Sequence, residues 1–135
     1  MEHGVFAQDS ALRLINLQYV TYIYNSAFMA CSSLELNDLP PNVTYIGVGA
    51  FQNCGKIYIN ELPPSLETIE SRAFLRASNV TITQFGGDND SYKLAKIGDS
   101  AFEVGETAHT DSGITEISLG KSLTTIGANA FKNYG

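Results

Sequence analysis

The apolar residues of the chain recur at a fixed spacing. The hexapeptide pattern Ile-x-x-x-Ala-Phe occurs five times, and its phenylalanines lie 23, 23, 28 and 29 residues apart. Phe6 lies 22 residues before the first of them, Phe28, and extends the series by one. Self-similarity at a period of about 20–50 residues indicates stacked repeats, in which each unit buries its apolar edge against its neighbours. The phenylalanine column consists of Phe6, Phe28, Phe51, Phe74, Phe102 and Phe131.

Three more apolar columns keep the same phase and predict short strands. Leu34-Glu35-Leu36 and Val43-Thr44-Tyr45-Ile46 are alternating or β-rich, and Pro40-Pro41 forces a corner between them. After the second strand, a small-residue corner leads into a segment long enough for about one helical or 3₁₀ turn. The columns are Leu12, Leu34, Ile57, Val80 and Ile114; Leu17, Leu39, Leu62, Phe85 and Leu119; and Val20, Val43, Leu66, Leu94 and Leu123.

The predicted fold is therefore mainly β, a solenoid of about five repeats of 22–29 residues with short parallel strands and short helical or 3₁₀ turns. We expect one domain over residues 1–135. It comprises a partial repeat at 1–11 and repeats at 12–33, 34–56, 57–79, 80–113 and 114–135. Two insertions, near 86–93 and 103–113, lengthen two different corners.

The residues from Ile114 to Phe131 show nearly the whole of a family pattern, Leu-x-x-Ile-x-Leu-x-x-x-Leu-x-x-Ile-Gly-x-x-Ala-Phe. This pattern resembles the BspA-like subclass of leucine-rich repeats, and the resemblance runs in phase from Phe6 to Phe131. It implies a right-handed leucine-rich-repeat solenoid. It also implies a cell-surface or secreted recognition or adhesion module, which is often one part of a longer array.

The apolar columns also predict which residues form the core. Cys31 and Cys54 take equivalent places in adjacent repeats, and we expect both to be buried free thiols. Neither is surrounded by the spacing of a zinc site or of a Cys-His nucleophile pair. The predicted core comprises Phe6, Phe28, Phe51, Phe74, Phe102, Phe131, Ile23, Ile46, Ile69, Ile97, Ile126, Cys31 and Cys54.

Charge and motifs narrow the classes of function. The formal net charge of −6, without a cluster of basic residues, argues against a nucleic-acid partner. The apolar runs are far shorter than the roughly 20 residues that cross a bilayer. No nucleophile elbow, zinc-protease helix or Walker motif occurs, so we expect neither an enzyme nor a cofactor.

Two kinds of surface are candidates for ligand binding. Tyr22 and Tyr45 share one outward column, and exposed tyrosines suit protein or glycan contact, although ordinary strand tyrosines are an equal alternative. The two insertions are the other candidate, because insertions in repeat proteins form surface loops and often lie on the binding face. The equal alternative is that they are tolerated changes in loop length without a function. Asp88 and Asp90 are a weak calcium candidate that lacks the remaining ligands. The candidates are Tyr22, Tyr24, Tyr45, Tyr58, Asp88, Asp90, Tyr92, Glu103, Glu106, His109 and Asp111.

The sequence thus predicts a non-catalytic module that binds an unidentified protein or glycan at a cell surface or after secretion. The first residues do not form a signal peptide. The C-terminal repeat carries no clear polar cap, so further repeats or an end-to-end partner are expected there. The alternative is a structural assembly element, such as a surface-fibre or virion subunit, that stacks through uncapped ends.

Overall fold

The fold consists of very short parallel strands arranged in three sheets. A computed structural model of the chain describes residues 3–87, 91–105 and 114–134. In these ranges every strand is two residues long. The strands are β1 (Tyr22–Ile23), β2 (Glu35–Leu36), β3 (Tyr45–Ile46), β4 (Lys56–Ile57), β5 (Thr68–Ile69), β6 (Gln84–Phe85), β7 (Lys96–Ile97), β8 (Ser118–Leu119) and β9 (Thr125–Ile126).

The main sheet contains one strand from each of five consecutive repeats, in the order β1-β3-β5-β7-β9. All its pairings are parallel and connect equivalent residues, for example Tyr22 with Tyr45 and Ile23 with Ile46. Because side chains alternate along a strand, the first residue of each strand faces outward and the isoleucine faces the core. The predicted parallel stacking is confirmed.

Two smaller sheets pair β2 with β4 and β6 with β8. Phe85 lies opposite Leu119, as their shared column predicts. Ile57, however, lies opposite Leu36, so the column that joins Ile57 to Leu34 is wrong by two residues. A shift of two keeps each side chain on its face of the strand, and both leucines are buried. The apolar pattern alone therefore could not distinguish the two registers.

The phenylalanine column forms a continuous stack through the core. Phe28, Phe51, Phe74 and Phe102 are at most 2% exposed. From Phe6 to Phe131, successive ring centroids lie 5.2–5.6 Å apart and the rings are within 12° of parallel. Phe6 and Phe131, at the two ends of the stack, are only partly buried. Each inner ring therefore has an aromatic neighbour on both faces.

The segment that carries the phenylalanine is not helical, so the expected helical or 3₁₀ turn is wrong. Consecutive β-turns replace it, with residues such as Ser26 (φ 57°) and Ala30 (φ 59°) in the left-handed region. Alternate N–H groups donate to the next repeat, as from Phe28 to the Ala50 carbonyl at 2.8 Å. In a helix, these N–H groups would instead donate to carbonyls within their own repeat.

No helix in the described ranges is long and apolar enough to cross a membrane.

The last strand of the main sheet is less buried than the core prediction requires. Ile126 is 45% exposed, and Leu119 in β8 is exposed to the same degree. Both strands lie at the ends of their sheets, so each apolar side chain packs against a neighbouring repeat on one side only. Ile126 thus continues the isoleucine column, but it is not a buried core residue.

Candidate functional site

A cluster of tyrosines lies on the outward side of the main sheet, where β1 and β3 pair. Tyr22 and Tyr45 are the outward residues of these strands, and Tyr24 is the next outward residue after β1. Along the same row the outward residues are Thr68 in β5 and Lys96 in β7. The regular stacking of repeats thus converts residues 23 apart in sequence into neighbours on one surface.

The tyrosine rings contact one another closely. Tyr22 and Tyr45 are stacked, with centroids 4.1 Å apart and ring planes within 8°. Tyr24 lies 4.6 Å from Tyr22 at an angle of 51°, and the His3 ring lies 5.6 Å from Tyr24. Tyr22 and Tyr24 are nevertheless 38% and 37% exposed. The cluster is therefore an ordered, partly exposed aromatic surface.

A charged pair continues the surface from the tyrosines toward β7. Glu70 accepts a hydrogen bond from the Lys96 ammonium at 2.8 Å. Burial, the charges of Glu70 and Tyr22, and hydrogen bonds with Tyr22 and Glu70 together raise the pKa of Tyr45 to about 12, and burial contributes most. We call the surface formed by Tyr22, Tyr24, Tyr45, Glu70 and Lys96 the tyrosine face.

Two glycines flank Glu70 in the stack of repeats. Gly47 and Gly98 hold the equivalent positions in the repeats before and after Glu70. A Cβ on Gly47 would lie 2.6 Å from the backbone nitrogen of Asn25, which is closer than real atoms approach. A Cβ on Gly98 would likewise meet the backbone nitrogen of Ser71, so at both positions the backbone of the preceding repeat leaves no space for a side chain.

Replacing Glu70 should change the titration of its tyrosine neighbour. We expect Glu70→Gln to lower the pKa of Tyr45 from about 12 toward its ordinary value near 10, because the negative charge that opposes the phenolate is removed. Because the pKa is higher in the folded than in the unfolded chain, Tyr45 contributes to the free energy of unfolding. This contribution is fully present below pH 10 and is lost as the pH rises toward 12. A pH titration of the tyrosine Cζ resonances by NMR measures the shift. Glu103→Gln, in another ion pair, should leave Tyr45 unchanged.

The other binding candidates do not join the tyrosine face. Tyr58 is 49% exposed, but it follows β4, and its N–H donates to Leu36 of the separate β2–β4 sheet. The Tyr92 carbonyl accepts a hydrogen bond from Ser122 at 2.9 Å. Glu103 pairs with Lys132 at 3.4 Å. The other five candidates lie outside the described residues, so the calcium hypothesis for Asp88 and Asp90 stays a prediction. They are Asp88, Asp90, Glu106, His109 and Asp111.

The cysteines are buried in the core as free thiols. Cys31 donates to the Phe6 carbonyl at 2.9 Å, and Cys54 donates to the Phe28 carbonyl at 3.0 Å. Burial raises both pKa values, that of Cys54 to about 12, so neither thiol forms a nucleophilic thiolate at neutral pH. The described ranges contain no group of three or more His, Cys, Asp or Glu residues that could hold a metal ion.

Sequence reasoning missed Glu70 and Lys96. Each holds a fixed position next to the isoleucine column: Glu70 directly follows Ile69, and Lys96 directly precedes Ile97. Residues one step before and one step after the isoleucine of adjacent repeats therefore lie diagonally across neighbouring strands. A search for opposite charges at these two repeat positions would have found the pair.

The stacked parallel strands and the in-register apolar columns define a leucine-rich repeat protein. The family model for the BspA-type leucine-rich repeat region matches six copies over residues 1–135, and the chain belongs to this family. It is also similar to the crystal structure of a leucine-rich cell surface protein from Faecalibacterium prausnitzii A2-165, with 31% identity and a TM-score of 0.61. That match covers 75% of this chain and 25% of the other, so the chain spans about a quarter of that protein. No curated protein matched the sequence.

Proposed function

We propose that the chain is a non-catalytic recognition module that binds a protein or glycan ligand through its tyrosine face, as part of a cell-surface or secreted protein. The observation that carries the proposal is the ordered aromatic surface of Tyr22, Tyr24 and Tyr45 on the outward side of the main sheet. The family of the chain supports the proposal, and so does the similarity of the chain to a protein described as a leucine-rich cell surface protein.

The physical properties of the tyrosine face suit binding. Tyrosine offers a large amphipathic contact area and has only two side-chain torsions to immobilise, so its entropic cost on binding is low. The stacking of Tyr22 on Tyr45 and the Glu70–Lys96 pair already restrict these side chains before a ligand arrives. A preorganised surface loses less free energy on binding than a mobile one.

A matched set of tyrosine variants tests the proposal. Binding would be measured against immobilised glycans and purified extracellular proteins, with the wild type compared with Tyr22→Ser/Tyr45→Ser. Loss of two central aromatic contacts should weaken binding by at least about 30-fold, since one hot-spot residue contributes about 2 kcal/mol or more. Tyr58→Ser is the control, because Tyr58 is 49% exposed on a different sheet. Equal loss in both variants, or no loss in the double variant, would contradict the proposal.

A second candidate function, structural assembly, is favoured by two exposed apolar side chains on β8 and β9. Leu119 and Ile126 are each 45% exposed there, and large exposed apolar patches mark interaction sites. A head-to-tail contact through these two strands would build an open assembly. Light scattering distinguishes the two functions. Mass that rises with concentration, and that falls in Leu119→Lys/Ile126→Lys, would support assembly, whereas a constant monomer mass would exclude it for this chain.

A further inference from the structure

Three tyrosine rings of the tyrosine face lie within contact distance of one another. Tyr22 stacks on Tyr45 with centroids 4.1 Å apart and ring planes within 8°, and Tyr24 lies 4.6 Å from Tyr22. Tyr22 and Tyr24 are exposed, so reagents in solution reach the cluster. A phenol that loses one electron and one proton becomes a phenoxyl radical. The cluster therefore brings oxidisable rings together at a place that an oxidant can reach.

The register of the main sheet aligns the reactive atoms of Tyr22 and Tyr45. The two residues are direct partners in parallel strands, so both side chains leave the sheet in the same direction. In two nearly parallel rings that point the same way, counterpart atoms are separated by about the distance between the centroids. The Cε atoms, which are ortho to the hydroxyl and carry unpaired spin in a phenoxyl radical, are therefore separated by a distance close to the 4.1 Å of the centroids.

Both phenols have an acceptor for the proton that oxidation releases. Glu70 lies close enough to Tyr45 for its charge to raise the pKa of that phenol. The Lys96 ammonium, 2.8 Å from Glu70, holds this carboxylate in position. A phenol that has lost an electron is a strong acid, so Tyr45 passes its proton to Glu70 or to water. Tyr22 is exposed and releases its proton to water.

We propose that Tyr22 and Tyr45 form a covalent cross-link when the folded chain is oxidised by a haem peroxidase that consumes hydrogen peroxide. Each phenol gives one electron to the oxidised haem and one proton to water or to Glu70. The two radicals join through a new carbon–carbon bond between their Cε atoms. The hydrogen on each of these carbons then leaves as a proton, and each oxygen regains one. Hydrogen peroxide takes up the two electrons and two protons and becomes two water molecules.

The position of β1 in the main sheet lets the two rings approach. A carbon–carbon bond is about 1.5 Å long, so the two Cε atoms must move together by roughly 2.5 Å. In the described part of the chain, β1 pairs with β3 on one side only, and it is two residues long. Its movement therefore disturbs no second neighbouring strand there. The product, a dityrosine, joins two repeats covalently and restricts the unfolded chain.

Oxidation of the dilute chain tests the proposal. The protein would be treated with hydrogen peroxide and a haem peroxidase, and the monomer would be isolated by size-exclusion chromatography. We expect the monomer to lose the mass of two hydrogen atoms and to gain the fluorescence of dityrosine. A glutamyl endopeptidase then cuts the unfolded product after Glu35, between the two tyrosines. The fragments 3–35 and 36–61 should stay joined.

Conservative variants locate the bond. Tyr22→Phe and Tyr45→Phe keep a ring in the stack but remove the phenol, and each should abolish the joined fragments. Tyr58→Phe is the matched control, because Tyr58 is 49% exposed on a different sheet and lies in the fragment that contains Tyr45. It should give the joined fragments in the same yield as the wild type. Joined fragments in Tyr22→Phe or Tyr45→Phe would overturn the proposal.

Two further outcomes contradict the inference. A monomer of unchanged mass that is consumed only into cross-linked dimers would mean that exposed tyrosines such as Tyr19 and Tyr58 react between chains instead of the stacked pair. Loss of two hydrogen atoms with fragments that separate after cleavage would place the bond between Tyr22 and Tyr24. The cross-link goes beyond the proposed function and does not depend on it, since ligand binding is measured on the unoxidised chain.

Discussion

Replacing Phe51 with alanine should lower the free energy of unfolding by about 3–5 kcal/mol. Phe51 is fully buried, and its ring lies 5.4 Å from Phe28 on one side and 5.3 Å from Phe74 on the other. Truncation removes the buried apolar surface and leaves a cavity, and the rigid neighbouring repeats cannot close it completely. Urea unfolding monitored by circular dichroism measures the change.

Phe131→Ala is the matched control for this experiment. Phe131 belongs to the same column and stacks on Phe102 at 5.6 Å, but it is only partly buried. The same chemical change should therefore cost clearly less there than at Phe51. Equal losses at the two positions would show that the interior of the stack is not drier than its end, which contradicts the packing described above.

Adding a single methyl group at Gly47 should destabilise the chain by about 1–3 kcal/mol or more. A Cβ at this position would lie 2.6 Å from both the backbone nitrogen of Asn25 and the carbonyl carbon of Tyr24. The obstacle is the backbone of the preceding repeat, so no side-chain rotation relieves the clash. Thermal unfolding of Gly47→Ala measures the effect.

Gly55→Ala provides the control for the methyl group itself. The nearest atom to a Cβ on Gly55 is the Ser32 carbonyl oxygen at 3.6 Å, an ordinary contact distance. Its stability should therefore stay within about 0.5 kcal/mol of the wild type. A large loss in Gly55→Ala, or none in Gly47→Ala, would mean that repeats are not spaced as closely at Gly47 as the structure shows.

The parts of the fold that depend on apolar periodicity were predictable from the sequence. Phe28, Phe51 and Phe74 recur at a constant spacing because each must lie on its neighbour, and the pairing of Tyr22 with Tyr45 follows from the same period. A column is a strong signal because stacking repeats a single set of steric requirements. The shared outward column of Tyr22 and Tyr45 is therefore predictable from the sequence.

Backbone conformation left much weaker signals. Ser26, Ala30 and Arg72 have positive φ values, yet none is glycine, the residue that normally marks such positions. Hydrogen bonds to the next repeat hold these residues in place, as from Arg72 to the Asp99 carbonyl at 2.8 Å. Long-range bonding thus overrides local preference, and sequence reasoning assigned a helical turn instead.

The candidate site was only half predictable for a related reason. Tyr22 and Tyr45 stand out in the sequence because they share one repeat column, whereas Glu70 and Lys96 are ordinary charged residues at different repeat positions. Their contact at 2.8 Å depends on the diagonal geometry of adjacent strands. Such a pair is recognised only when the positions are compared across repeats and not along the chain.

The central claim is that equivalent phenylalanines of consecutive repeats lie on one another in a dry column. Nuclear Overhauser effects between ring protons, measured with phenylalanine-labelled protein, test it most directly. The structure predicts contacts for the pairs Phe28–Phe51, Phe51–Phe74 and Phe74–Phe102, whose centroids are 5.2–5.4 Å apart. Absence of these three contacts in the folded protein, with the rings instead relaxed by a soluble paramagnetic probe, would contradict it.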